Sequence, residues 1–371
     1  MNSIDLARAM ARVATAFGVV VLLCGPQPAA AGKPPGIVPD PDIVYLSDGG
    51  KEAVWQTAVR AIDLADNGIS GRDVSLLKSL AGRMSTSVAW SPDGKLAAWL
   101  ELGNGMVSTP VSIVVWAPGQ KPYKVFTSVA GDGNPALASD ADTLAWGPAC
   151  DGNGDMLVFL SSSPAGIFGI RFVDNQPVGE PVQMSTDDAG LTARAFAFSP
   201  AGQYLAFAGS GDYLGYGIAV LPMCSPPRTP FQIAPRSAFG PVGVHFTYMD
   251  WSRDGARLAL SMFMTDNQWR EMKIVETDYA LDSTTGIENV TGYLGVTAVA
   301  LPDEFGGASS EHSPSWGPIT SDSCQRIAFS RSTDAGRSLY VLKVPVNGAE
   351  SCDPSAPQLI NAKTPRALDW K

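Results

Sequence analysis

The sequence predicts an all-β fold, a six-bladed β-propeller closed by a clasp of N-terminal strands with the C-terminal strand. Three observations predict it. A short segment ending in a large aromatic residue recurs six times, at Trp90, Trp146, Phe198, Trp251, Trp316 and Trp370, with spacings of 52 to 65 residues. Tight-turn residues follow several of these anchors, as in Ser91-Pro92-Asp93-Gly94. The composition is that of a turn-dense sheet protein, with 38 glycines and 29 prolines in 371 residues and only 17% charged residues. An average soluble domain carries about 25% charge.

The first residues read as an address. Arg8 and Arg12 give a positive start, residues 13–25 form a short apolar run, and Ala29-Ala30-Ala31 offers a small-residue cleavage site. That is the layout of a secretory signal peptide over 1–31. Its apolar run is too short for a membrane span, which needs about 20 residues. Residues 32–41 read as a proline-rich linker and 42–371 as the propeller, so the mature chain is expected to be periplasmic or secreted, with no membrane span.

Each unit then repeats one plan. An apolar strand runs into the anchor, and a turn reverses the chain. In that turn proline presets φ, aspartate bonds the turn backbone, and glycine takes the left-handed position. A second strand follows, for example Leu96–Leu100 or Tyr204–Ala208. The third strands are read at Ser112–Trp116, Gly217–Leu221, Glu271–Glu276 and Ser338–Val344, and weaker fourth strands at Tyr123–Phe126 and Gln358–Ile360. Four short strands per unit is the signature of a propeller blade. Asp42–Ser47 matches a second strand with no anchor strand before it, and Leu368-Asp369-Trp370 matches a first strand with no successor. The two ends are expected to complete one blade.

These motifs resemble a family. The pattern Trp90-Ser91-Pro92-Asp93-Gly94 followed by Ala97-Ala98-Trp99, with weaker copies at Phe198–Phe207 and Trp251–Leu260, is similar to the WD40-like repeat of TolB-type propellers. The resemblance implies a TolB-like β-propeller over 42–371, without the separate amino-terminal domain that TolB proteins carry.

Composition excludes several chemistries. A net charge of -10 argues against nucleic acid as a partner. Two histidines, His245 and His312, cannot build a multi-histidine metal centre. Asp151-Gly152-Asn153-Gly154-Asp155 has the opening spacing of a calcium loop, but Met156 and Ser162 stand where such a loop has glycine and an acidic residue. An enlarged turn is the plainer reading, and no metal or cofactor is expected. No G-x-S-x-G elbow is present.

Without Cys24 the chain keeps four cysteines, and the loop positions in the repeat predict the pairs Cys324–Cys352 and Cys150–Cys224. Aromatic and arginine residues in loops are what binding surfaces use. Trp269, Arg270, Tyr213, Phe239, His245 and His312 lie in or beside second-to-third and last-to-first connections, which emerge at one end of the ring, and they are the candidate binding residues. The expected function is that of a monomeric, non-catalytic scaffold binding a protein or a peptidoglycan-associated envelope partner. The alternative is an envelope carbohydrate lyase or hydrolase using carboxylates at the channel mouth.

Overall fold

The computed structural model describes residues 42–370 apart from segments 49–56, 65–70, 79–83, 103–110, 129–134, 139–142, 186–192, 210–215, 241–243, 265–269, 300–309, 319–323, 334–335, 346–356 and 361–364 and residue 225. The signal peptide and linker expected over 1–41 lie outside the described residues. Among those described, no helix is long and apolar enough to cross a membrane.

Six sheets follow one another along the chain. Blade 1 opens with β1 (Ile43–Asp48), β2 (Thr57–Leu64) and β3 (Gly71–Lys78). Blade 2 is β4 (Met84–Trp90), β5 (Ala97–Leu102), β6 (Ser112–Trp116) and β7 (Tyr123–Thr127). Blade 3 comprises β8 (Ala136–Leu137), β9 (Leu144–Pro148), β10 (Asp155–Ser163), β11 (Ala165–Val173) and β12 (Gln176–Gln183). Blade 4 runs through β13 (Ala193–Phe198), β14 (Tyr204–Gly209), β15 (Tyr216–Pro222) and β16 (Phe231–Pro235), and a 3-10 turn at Arg236–Phe239 follows. Blade 5 is β17 (Val244–Trp251), β18 (Arg257–Met264), β19 (Arg270–Asp282) and β20 (Ile287–Ala298). Blade 6 is β21 (Ser310–Trp316), β22 (Cys324–Thr333), β23 (Gly336–Pro345) and β24 (Gln358–Ile360). Finally β25 (Pro365–Trp370) returns to pair with β1, Ile43 opposite Trp370 and Val44 opposite Asp369, so blade 1 has the order β25-β1-β2-β3. The innermost strands β4, β9, β13, β17, β21 and β25 touch in that order, and β25 touches β4 again. The ring is closed.

Side chains on a strand alternate between faces, and here each face belongs to a different core. On β14, Leu205 and Phe207 pack into the core between blades 3 and 4, while Ala206 and Ala208 pack into that between blades 4 and 5. On β18, Leu258, Leu260 and Met262 serve the junction with blade 4 and Ala259 the junction with blade 6. Burial on both faces explains why these strands read as continuous apolar runs. Where glycine follows an anchor, the next anchor closes over it. A Cβ on Gly147 would lie 2.1 Å from Phe198 Cγ, and one on Gly317 would lie 2.8 Å from the Trp370 ring.

The turns after the anchors form as the repeat demands. Ser91 Oγ donates to Asp93 Oδ1 at 2.8 Å, Lys95 N donates to the same oxygen at 3.0 Å, and Leu96 N donates to Ser91 Oγ at 2.9 Å. Ser252, Asp254, Ala256 and Arg257 repeat the set at 2.6, 3.1 and 2.9 Å. The Ser199-Pro200-Ala201-Gly202 turn has no aspartate, and Glu288 at the start of β20 in blade 5 replaces it. Ser199 Oγ donates to Glu288 Oε2 at 2.5 Å and Gln203 N to the same oxygen at 2.9 Å. Ala201 N and Tyr279 Oη donate to Oε1, each at 2.8 Å.

On this turn face, three of the described turns meet the third-to-fourth strand connection of the next blade. Between blades 3 and 4 the contact is covalent, Cys150–Cys224, with the Cα atoms 5.4 Å apart. Between blades 4 and 5 it is the Glu288 latch. Between blades 5 and 6, buried Arg257 donates to the Pro345 carbonyl at 2.6 Å and to Gln325 Oε1 at 3.1 Å, with its guanidinium over the Trp316 ring. Between blades 2 and 3 the position is an open cleft. Cys324 is in a disulfide whose other half falls outside the described residues, as does Cys352.

Candidate functional site

The innermost strands surround a central cavity of about 180 Å³, which extends from the middle of those strands to the first turn residues Pro92, Pro148, Pro200 and Arg253. The residue before each anchor lines it: Ala89, Ala145 and Ala197 in blades 2 to 4, then Asp250, Ser315 and Asp369 in blades 5, 6 and 1. Half the wall is therefore methyl groups and half is carboxylate and hydroxyl.

The polar half follows one rule: each of its side chains accepts the anchor N–H of the next blade. Trp316 N donates to Asp250 Oδ2 at 2.6 Å, Trp370 N to Ser315 Oγ at 2.9 Å, and Trp90 N to Asp369 Oδ2. An innermost strand leaves its inward-facing N–H groups without a neighbouring strand, and a buried donor without a partner costs about 1–3 kcal/mol. These side chains supply the partner. Asp250 Oδ1 also accepts from Trp251 N at 2.9 Å.

Ser315 Oγ lies 3.0 Å from Asp250 Oδ2 and 3.1 Å from Asp369 Oδ1. A hydroxyl has one proton to give, so one of the two contacts is satisfied only if a carboxyl is protonated. The electrostatics agree. Burial raises the Asp250 carboxyl above its ordinary value, against Arg253 and the Trp316 N–H. Burial and then the Asp250 charge push Asp369 up to about 7, against the Trp90 N–H, Arg253 and Ser315. Both carboxyls keep some surface on the cavity but are otherwise enclosed by the ring. Like charges in such a site share a proton. Arg253 stands where Pro92 and Pro200 stand in other blades, and its Nη2 reaches past blade 6 to the Trp370 carbonyl at 2.8 Å.

No protein-family model and no curated protein matches the chain. Among solved structures, TolB from Acinetobacter baumannii is similar with a TM-score of 0.50 and 16% identity, over 89% of this chain. This chain spans 66% of that one, just under two thirds. A chain assigned as TolB in Agrobacterium tumefaciens aligns at a TM-score of 0.45 and 16% identity, over 78% of this chain and 83% of its own. A chain of a nidogen/laminin complex aligns at a TM-score of 0.47 and 10% identity, over 88% and 97% respectively. The fold is that of the TolB propeller.

In this TolB-like ring His245 and Phe239, the two expected binding residues whose side chains are described, are not part of the cavity lining. His245 is the second residue of β17, five residues before Asp250, and is half-buried, its imidazole held below its usual value by burial and by the nearby Arg194 and Arg236 charges. His312 is in β21 opposite Ser330, and Arg270 begins β19 opposite Phe263, but the side chains of both lie outside the description. Tyr213 and Trp269 are outside the described residues altogether. Phe239 requires a correction: it is 5% exposed and packs edge-on against Phe246 at 4.9 Å. The 3-10 turn folds it back into the core between blades 4 and 5, so it offers nothing to a partner.

Asp151 is in a turn, where Arg171 Nη2 binds both its oxygens at 2.7 and 2.6 Å and Asn153 N donates to Oδ1 at 3.0 Å. That is the enlarged turn, with its leading carboxylate already engaged. No group of three or more metal-ligand side chains occurs among the described residues. The sequence reading passed over Asp250, Ser315 and Asp369. A signal was available: a charged residue inside an otherwise apolar buried strand is costly and calls for a reason.

Proposed function

We propose that this TolB-like propeller is an exported, monomeric binding scaffold without catalytic chemistry, holding a protein or cell-envelope partner at one end of its channel. One observation carries the reading. The channel carboxylates are occupied by anchor N–H groups of neighbouring blades, which makes them part of the ring and leaves an open, half-polar socket. A general acid or base instead needs its reactive oxygen directed at a substrate atom. The turn end of the cavity, rimmed by Pro92, Pro200 and Arg253, is the preferred surface. The opposite end, where Arg270 begins β19 and His245 stands near the start of β17, is the second.

A specific observation favours one other reading. A carboxyl held at about 7 has the value a general acid wants, which supports an envelope carbohydrate-active enzyme with Asp369 and Asp250 as its pair.

The test places a photo-crosslinking residue at Pro92 or at Arg270 in the full chain and exposes each variant to envelope extract. A partner adduct at Pro92 and not at Arg270 is expected. An adduct at Arg270 alone moves the surface to that opposite end, and none at either position overturns the scaffold reading. Release of reducing sugar from envelope polysaccharide, abolished by Asp369→Asn, would establish the enzyme instead.

A further inference from the structure

Three charged side chains line the channel, and Arg253 is the exposed one. Its charge acts on both Asp250 and Asp369, yet among the described residues it forms an ion pair with neither. Its Nη2 donates instead to the Trp370 carbonyl at 2.8 Å, one residue along from Asp369. For a guanidinium, a carboxylate is the better acceptor, because both partners are charged and the pairing can be bidentate. Something weakens the pull of the two aspartates.

The Ser315 hydroxyl shows what does so. Its Oγ accepts from Trp370 N at 2.9 Å and lies 3.0 Å from Asp250 Oδ2 and 3.1 Å from Asp369 Oδ1. With a proton on Asp369 the set closes. Asp369 Oδ1–H donates to Ser315 Oγ, the serine proton goes to Asp250 Oδ2, and Oγ has filled its two acceptor positions and its single donor. Without that proton two anions face one hydroxyl, and the contact to Asp369 sets oxygen against oxygen. Two carboxylates sharing a site do not both ionise readily unless a cation joins them.

Arg253 is the cation at hand. The cavity lining is drawn from the innermost strands of all six blades, and its titratable groups are Asp250, Asp369 and Arg253 alone. The charges that act on Asp369 are those of the other two. In the turn of blade 5, Asp254 does not compete for the guanidinium, because Ser252 Oγ and Ala256 N already donate to it at 2.6 and 3.1 Å and Arg257 lies 3.7 Å away.

We propose that Arg253 is the moving part of a proton-operated gate at the turn end of the channel. While Asp250 and Asp369 share a proton, its guanidinium caps the Trp370 carbonyl. When that proton leaves for solvent through the cavity, the guanidinium turns inward onto the two carboxylates. The three charged groups then go from no net charge to one net negative charge, and a carbonyl of the clasp strand is uncovered. An entering cation or hydrogen-bond donor is favoured only in the second form. The gate belongs to the socket of the binding reading, but its motion needs no partner to be seen.

The experiment equilibrates crystals of the full chain, all of one form, at about pH 5.5 and about pH 8.5, either side of the value of about 7 for Asp369. Arg253 Nη2 is expected on the Trp370 carbonyl at the lower pH and within about 3 Å of an Asp250 or Asp369 oxygen at the higher. In solution, the Nε–H signal of Arg253 in protein carrying 15N-arginine, assigned by its loss in Arg253→Lys, is expected to move between the same limits. It is expected to keep its low-pH position in Asp369→Asn, which retains a hydrogen-bond donor without a charge, and Asp250→Asn repeats the test should the first variant not fold. Arg253 on the Trp370 carbonyl at both pH values, or a signal that moves as far in the folded asparagine variant, would overturn the proposal. Arg253 moving with no partner captured at Pro92 or Arg270 upholds the gate and overturns the scaffold reading alone.

Discussion

The Ser91–Lys95 turn of blade 2 and the Ser199–Gln203 turn of blade 4 have the same hydrogen bonds and different owners. In the first, Asp93 ties down its own serine and the N–H two residues on. In the second, that aspartate is Ala201, and Glu288 of blade 5 reaches in to make the equivalent bonds. A device that folds one hairpin has become one that joins two blades. The difference teaches that a degenerate repeat is not a weakened one, because its missing residue can be supplied from across a junction.

Four measurements would break or sharpen that comparison. The largest effect is expected where a junction is covalent. Cys150→Ser with Cys224→Ser opens a loop spanning 74 residues of sequence separation and should cost about 4 kcal/mol in the chain-entropy account, read by urea unfolding without reductant. Next, Glu288→Ala strands Ser199 Oγ and the Ala201 and Gln203 N–H groups, and should cost about 3 kcal/mol. Adding Ala201→Asp to that variant rebuilds the blade 2 arrangement and should recover about half. Failure to recover would mean that Glu288 acts through Tyr279 rather than through the turn.

A third expectation concerns pH at the channel. Asp369 keeps its proton up to about 7, whereas in the unfolded chain an aspartate ionises near 4. Between those values the folded state binds the extra proton, so this group's contribution is full at low pH, falls as pH rises from about 4 to about 7, and is flat above. Melting curves of Asp369→Asn should lack that fall, a difference of roughly 2 kcal/mol at most, because the cavity admits some solvent. The smallest effect belongs to the self-contained turn. Asp93→Ala should cost about 1 kcal/mol, visible as a small shift in melting temperature, and a loss equal to that of Glu288→Ala would erase the contrast.

Much of the ring was legible because its local and global demands coincide. β6 and β24 have the bounds expected from the repeat, Ser112–Trp116 and Gln358–Ile360, and the turns carry the residues their backbone requires. The third strand of blade 5 was less so. It was read as ending at Glu276, yet β19 runs to Asp282 and pairs with β20, because this hairpin projects past the cores and its outer residues, Leu281 and Ile287 among them, are exposed. No burial period marks a strand there. Glu288 was illegible for a different reason: its partners in the blade 4 turn are 85 to 89 residues away. The channel dyad lay between the two cases. Six residues in register before six anchors were on the page, but aspartate in one blade acquires its meaning only when Ser315 and a second aspartate stand beside it.

The division of the channel wall has a geometric consequence. A ring of six alike blades offers a visitor on its axis six equivalent orientations, and a uniform lining could not choose among them. Ala89, Ala145 and Ala197 on one side, with Asp250, Ser315 and Asp369 on the other, remove that degeneracy. Whatever enters along the axis meets a keyed socket, and a group with one polar flank fits it in a single rotational setting.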